Sequence, residues 1–283
     1  MSRAAIPAES RSESLPVVVY KLLRDAIVDR LRRMEANSLV TNFLLLAAFH
    51  FPFPDFAVRM LVTFVLNTLV YFINDFIDVE IDLAAENKDH RKALYIQRHK
   101  KTAFALIVCL SASLILSTLF YSRSVCFGVI LALWVIFLYT DYFKNMPFLD
   151  VFGCFVWGVA MAWAAIPDFS AQGVRLILLI GLFTACFEIV QCVKDYEFDK
   201  KFQLRTTPIV IGIPKAFWLL RALLVAASLY AVFVLGFKLG FLLLLPIFFR
   251  TDQRMEIYWM KLRVVFGVVW LALMVRQFLG SAG

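Results

Sequence analysis

The stretch Gly173-Val-Arg-Leu-Ile-Leu-Leu-Ile-Gly-Leu-Phe-Thr-Ala-Cys-Phe-Glu-Ile-Val-Gln-Cys-Val193 runs straight into Lys194-Asp-Tyr-Glu-Phe-Asp199. A helix rises 1.5 Å per residue, so about 20 apolar residues cross a bilayer core. This run is long enough to do so, and it ends in acid. Eight further apolar runs lie at roughly 38–53, 57–74, 102–121, 125–142, 147–166, 208–236, 239–249 and 259–279. The whole chain agrees: 62% of its 283 residues are hydrophobic, 18% are charged, and the mean hydropathy is +0.79. Soluble domains run about 45–50% apolar and about 25% charged, so a water-soluble globule is excluded. The expected fold is all-α: a polytopic membrane bundle of about nine transmembrane helices, with cytoplasmic caps carrying two Asp-rich motifs.

Residues 1–37 read as a polar cytoplasmic segment, and 38–283 as one transmembrane domain. The segment lacks an uninterrupted apolar core, which argues against a cleaved signal peptide. Within it Val17–Arg33 carries helically spaced Val18, Leu22, Leu23, Ile27 and Leu31 after Pro16, the pattern of a helix lying on the membrane surface.

Charge tests the topology. The 29 Lys and Arg exceed the 21 Asp and Glu, for a net +8. In a soluble chain that excess would suggest nucleic acid. Here 22 of the 29 fall in segments 1–37, 75–101, 143–146, 194–207 and 250–263, all on one side of a nine-span bundle. The opposite turns hold only Arg59, Arg123, Arg175 and Lys238. This is the positive-inside asymmetry, so the N-terminus and the acid-rich loops are expected in the cytoplasm. The expected partner is the bilayer, not nucleic acid. The five cysteines (Cys109, Cys126, Cys154, Cys186, Cys192) sit in apolar runs with no C-x-x-C pair. They read as free buried thiols rather than disulfides or zinc ligands.

Two acidic clusters close the second and sixth helices. In the first, Asn74-Asp-Phe-Ile-Asp78-Val-Glu-Ile-Asp82, the acids Asp75, Asp78 and Asp82 stand at i, i+3 and i+7, on one helix face; Glu80 falls off it. In the second, Asp195 and Asp199 are i, i+4 neighbours, and Glu188 continues their line two turns deeper. Acidic stripes on the same membrane face repel unless cations intervene. All-oxygen donors suit Mg²⁺ rather than zinc, and His50, His90 and His99 are scattered. Mg²⁺ held by one or two carboxylates usually completes its shell with phosphate oxygens. Lys88, Arg91, Lys92 and Arg98 follow the first cluster, and Lys200, Lys201 and Arg205 the second, as a diphosphate would need.

At this point the residues resemble a known family. Asn74–Asp82 is similar to the N-D-x-x-D-x-x-x-D motif of UbiA-type intramembrane prenyltransferases, and Glu188–Pro208 is similar to that family's second motif and its tail. The resemblance runs from about residue 33. It implies metal ligation by Asn74, Asp75, Asp78, Asp82, Asp195 and Asp199, with Asp75, Asp78, Asp195 and Asp199 catalytic. It implies diphosphate binding by Arg91, Lys144, Lys200 and Arg205. Arg33, Tyr71, Tyr139, Asp150 and Glu188 are candidates for the acceptor pocket, Glu188 having helix pairing with Lys215 or Arg221 as an alternative. Phe72, Phe76, Tyr142, Trp157 and Trp163 are further candidates to stabilise a carbocation.

Departures accompany these matches. Asp89, Lys92 and Ile96 stand where relatives read Pro, Pro and Gly; Cys192 replaces a frequent acid, and Gln203 a Gly. The implied reaction is Mg²⁺-dependent transfer of a polyprenyl group from an allylic diphosphate to an aromatic or lipid acceptor, with the inner membrane of a bacterial cell as expected location. Alternatives are an acceptor-free terpene cyclase, a phosphoribosyl-transferring relative, a non-catalytic family member and an ion-coupled transporter. A transporter calls for acids near the bilayer midplane and for broken helices.

Overall fold

The computed structural model describes residues 13–32, 37–84 and 90–280. Every regular element among them is helical. Helix α1 (Leu15–Arg32) precedes α2 (Asn37–Ala48) and α3 (Phe53–Ile77). The short α4 (Val79–Ala84) and α5 (His90–Arg98) lead into α6 (Lys100–Tyr121) and α7 (Arg123–Asp141). Then come α8 (Leu149–Trp163), α9 (Ala171–Lys194), and the short α10 (Tyr196–Lys201) and α11 (Thr207–Ile211). The chain closes with α12 (Ile213–Leu229), a 3-10 segment Lys238–Phe248 and α13 (Met255–Gly280).

The nine expected runs are all helical. Six of these helices (α3, α6, α7, α9, α12 with its extension, α13) are long and apolar enough to cross a membrane; α2, α8 and Lys238–Phe248 are apolar but only 12, 15 and 11 residues long. The run at 208–236 is not one helix. Gly212 takes φ +83° between α11 and α12, a conformation open to glycine at little cost. Pro208 and Pro214 stand in the first turns of the two helices, where a missing N–H costs nothing. Beyond α12 a π-helical turn, Tyr230–Val234, ends near Gly236 at φ +61°.

Helix α1 is more than a surface helix. Val18, Leu22 and Ala26 are buried against α3, α5 and α6, so its packed face follows i, i+4, i+8 rather than the wider stripe through Leu23 and Ile27, which are half-buried. Asn87, Lys88, Asp89 and Arg33 lie outside the described residues, as does the side chain of Leu31.

Two hydrophobic cores form. One joins α2, α8, α9, α12, Lys238–Phe248 and α13; the other joins α1, α3, α5, α6 and α7 with part of α8. The α8–α9 pair is drawn close by missing side chains. A Cβ on Gly158 would collide with Thr184 Oγ1, and one on Gly181 would meet the Phe155 ring at 2.8 Å. Small residues allow such backbone approach in membrane helices. Thr184 donates to the Cys154 carbonyl at 2.8 Å across the same contact.

Arg59, expected as a turn residue, is buried within α3. Its guanidinium donates to the carbonyls of Ala164 (3.0 Å) and Ile166 (2.9 Å) and to Asp168 (2.8 Å), and lies 4.5 Å from the Phe51 ring centre. It staples α3 to the loop after α8.

Candidate active site

A cavity of about 690 Å³ lies between the two cores. From α3 it is lined by Asn67, Tyr71, Asn74 and Asp78, at i, i+4, i+7 and i+11. From α9 and α10 it is lined by Glu188, Gln191, Asp195 and Asp199. Carboxylates 121 positions apart, Asp78 and Asp199, thus share one space. The structure brings both clusters together.

It does not bring every member. The cavity arc of α3 centres on Asn74 and Asp78, and Asp75 lies a helical step away, turned to α5, where Lys92 Nζ stands 2.6 Å from its carboxylate. The helix breaks at Asp78 (φ −76°, ψ 3°) before α4 resumes. That break moves Asp82 off the line projected from an unbroken helix, and Asp82 is half-buried outside the lining. Glu80 points outward, 3.9 Å from Lys100, as its off-face position implies.

Of the first-motif carboxylates, Asp75 and Asp78 each hold a lysine at close range. Lys144, in the 3-10 turn Phe143–Asn145, donates to Asp78 at 2.9 Å, and Asn74 donates to the same oxygen at 3.3 Å. Gln191 donates to Asp195 at 2.6 Å, and Thr206 to Asp199 at 3.1 Å. Burial pushes the Asp199 carboxyl up to about 6. Because a metal ion needs the ionised form, a divalent ion held by Asp199 would compete with protons in that range. Mn²⁺ retention by the purified protein should be full at pH 7.5 and fall several-fold by pH 5. Equal retention at both values would show that Asp199 is not a ligand.

Other expected residues stand elsewhere. Arg91, Lys200 and Arg205 are exposed and outside the lining; Lys194 takes a place on the wall instead. Asp150 is fully buried, accepting from the backbone N–H groups of Thr207 (2.6 Å) and Val151 (2.8 Å) and from the Thr207 hydroxyl. It ties the start of α8 to α11 and does not line the cavity. Glu188 pairs with neither Lys215 nor Arg221. It accepts hydrogen bonds from Tyr139 (2.6 Å), Cys154 (3.2 Å) and Cys192 (3.1 Å) at the cavity wall. Four cysteines are buried as expected, but Cys109 is exposed on α6. Gln203 adopts φ +56°, which explains why the resembling motif carries glycine there.

Tyr71, Tyr139 and Trp157 line the cavity, the Tyr71 and Trp157 rings meeting edge-on with centroids 6.0 Å apart. Phe72 is buried in the core, and Phe76, Tyr142 and Trp163 stand off the lining. Sequence reasoning missed the wall from α13: Trp259, Arg263, Phe266 and Trp270, with Phe183 and Phe187 of α9 facing them. Their spacing of i, i+4, i+7 and i+11 was available as a signal, but α13 carries no acid in that stripe to draw attention to it.

Among the described residues no three His, Cys, Asp or Glu side chains converge tightly enough to hold a metal. The oxygen donors Asn74, Asp78, Asp195 and Asp199 fit an ion that takes one or two protein ligands and keeps places for water and phosphate, which is the habit of Mg²⁺.

The UbiA prenyltransferase family model matches residues 38–251. The chain belongs to the UbiA prenyltransferase family. Digeranylgeranylglyceryl phosphate synthase of Pyrococcus horikoshii is 31% identical to it over 51% of this chain and 52% of its own length, so the match spans about half of that relative. The 4-hydroxybenzoate octaprenyltransferase of Neisseria meningitidis is 28% identical over 69% of this chain and 70% of its own. A UbiA homolog from Archaeoglobus fulgidus, solved with GPP and Mg²⁺, superposes with TM-score 0.66 at 17% identity, covering 92% of this chain and 99% of that one. A digeranylgeranylglyceryl phosphate synthase structure gives 0.71 at 19% identity, over 92% and 98%. At such identities the likeness establishes the UbiA fold. The motif residues of this UbiA-family chain stand on helices of that fold.

Proposed function

We infer that this protein transfers a prenyl group from an allylic prenyl diphosphate to an acceptor held in the same membrane cavity. The supporting observation is the convergence of Asp78 with Asp195 and Asp199 on a cavity whose remaining wall is largely aromatic and apolar. Asn74, Asp78, Asp195 and Asp199 are the residues that would hold Mg²⁺. When bound, the ion supplies charge neutralisation for the departing diphosphate.

The chain's own groups account for the rest. Lys144 sits on Asp78 at the cavity wall and is within reach of a diphosphate once that carboxylate is otherwise engaged; Lys92 stays with Asp75, off the lining. The C1–O bond of the donor breaks with its electron pair leaving on the diphosphate. Tyr71, Trp157, Phe183 and Phe266 line the cavity where the allylic cation would form, and a ring face turned to it contributes about 0.5–2 kcal/mol. The acceptor then bonds C1 and loses a proton. Glu188, two helical turns further into α9 than Asp195, is the carboxylate we assign to the acceptor end.

The relatives' names include an aromatic acceptor, 4-hydroxybenzoate, and a glyceryl phosphate lipid, and these two classes are the acceptors to try first. The acid-bearing face is assigned to the cytoplasm on the charge asymmetry. Membranes containing the protein should convert radiolabelled prenyl diphosphates of graded length into a lipid-soluble adduct only when an acceptor is supplied. EDTA should stop conversion and Mg²⁺ restore it. Release of diphosphate with a cyclic product and no acceptor would replace transfer with cyclisation, and turnover in EDTA would remove the metal from the reading.

A further inference from the structure

A second cavity, of about 740 Å³, lies far from the Asp motifs, between the N-terminal turn of α9, the chain after α12 and the last turns of α13. Arg175 and Asp195 are 20 residues apart, so the cavity stands about 30 Å along α9 from the motif end. Arg175 and Arg276 both line it, with Gln172 and Gln277. Its lining contains no Asp or Glu, and among the described residues no carboxylate pairs with either arginine.

The geometry is built rather than incidental. Arg276 Nη1 donates to the carbonyls of Leu235 (3.2 Å) and Gly236 (2.9 Å), which the π-helical turn and the left-handed Gly236 present to it. Gln172 donates to Gln277 at 2.8 Å, joining α9 to α13 across the cavity. Tyr230 donates to the Arg175 carbonyl at 2.9 Å and holds the first turn of α9 in place. The 24-residue α9 directs the positive end of its dipole to the same spot. Two guanidinium groups facing one space repel each other, and the repulsion is largest where water is scarce. Leu176 and Leu273 supply an apolar floor.

We propose that this cavity is an anion site for a phosphate group, and that its occupant is the headgroup of an anionic phospholipid in the leaflet opposite the Asp motifs. Guanidinium forks match phosphate oxygens two by two. The leucine floor receives the start of an acyl chain, which a free phosphate lacks. The site is independent of the proposed transfer reaction.

The test uses the intact protein in detergent. Binding of phosphatidylglycerol, phosphatidylcholine and inorganic phosphate is measured by native mass spectrometry and by the shift in thermal unfolding. Arg175→Gln is the informative variant, because the Arg175 side chain is exposed and ties no backbone together. Wild type should bind phosphatidylglycerol at least tenfold more tightly than phosphatidylcholine, and Arg175→Gln should lose most of that preference while melting normally without lipid. Tighter binding of phosphatidylglycerol than of inorganic phosphate supports the lipid; equal binding overturns it in favour of a soluble anion. Unchanged phosphatidylglycerol affinity in Arg175→Gln, or none in wild type, overturns the site.

Discussion

Replacing Asp78 or Asp199 with alanine should reduce diphosphate release by about 10²–10³-fold, the scale on which loss of one preorganised electrostatic group acts. Both carboxylates line the cavity, and each comes from a different motif. Asp78 also anchors Lys144, so its removal loosens two charged groups at once. Asp199 is 6% exposed and bonded to Thr206, so its alanine variant also strips the loop before α11 of a tie. Glu80→Gln should stay within about twofold of wild type, since that side chain faces outward. Release of diphosphate, measured alongside gel filtration in detergent, separates chemistry from misfolding. Near-normal turnover in both alanine variants would end the assignment of metal-holding carboxylates, and a deep loss in Glu80→Gln would undo the facial argument.

Arg59→Ala should lower stability by about 3 kcal/mol. Two buried carbonyls, of Ala164 and Ile166, lose their donors, at about 1–3 kcal/mol each when left unsatisfied. Asp168 is half exposed and rehydrates, so its ion pair adds little. Phe51 and Tyr121 lose the planar cation packed against them as well. Arg59→Lys should recover only part of the loss, because one ammonium cannot span three acceptors in the planar arrangement. Asp168→Asn should cost less than about 1 kcal/mol. Thermal unfolding in a fixed detergent measures all three. An Arg59→Ala protein that melts with wild type would mean the staple is ornamental to the fold.

The membrane bundle was legible because hydropathy and helical period are local properties. Each of the nine runs carries its own apolar surplus, although the run at 208–236 hides a break at Gly212 that only the structure shows. The acid clusters were legible for the same reason: Asp78, Asp195 and Asp199 announce themselves by charge beside apolar runs. What the period could not say was how each helix is rotated about its axis. Asp75, Asp78 and Asp82 share an ideal face, yet only Asp78 lines the cavity, because the chain breaks at Asp78 and α5 claims Asp75 through Lys92. The family resemblance makes Asp150 a pocket candidate, yet the structure buries it off the cavity. Its partners lie 57 positions away at Thr207, and that pairing leaves no trace in local pattern.

Composition and spacing alone determined that this chain lives in a bilayer, that it spans it as helices, and that acids gather at the ends of two of them. Tertiary packing alone decided that those ends meet, that Arg59 is a buried staple, and that α13 supplies an aromatic wall beside Phe183 and Phe187 of α9. The division has a physical cause. Burial in lipid is set residue by residue along the chain. The identity of what each buried face touches depends on close approaches such as Gly158 to Thr184, which fix helix rotation and exist only once the bundle has formed.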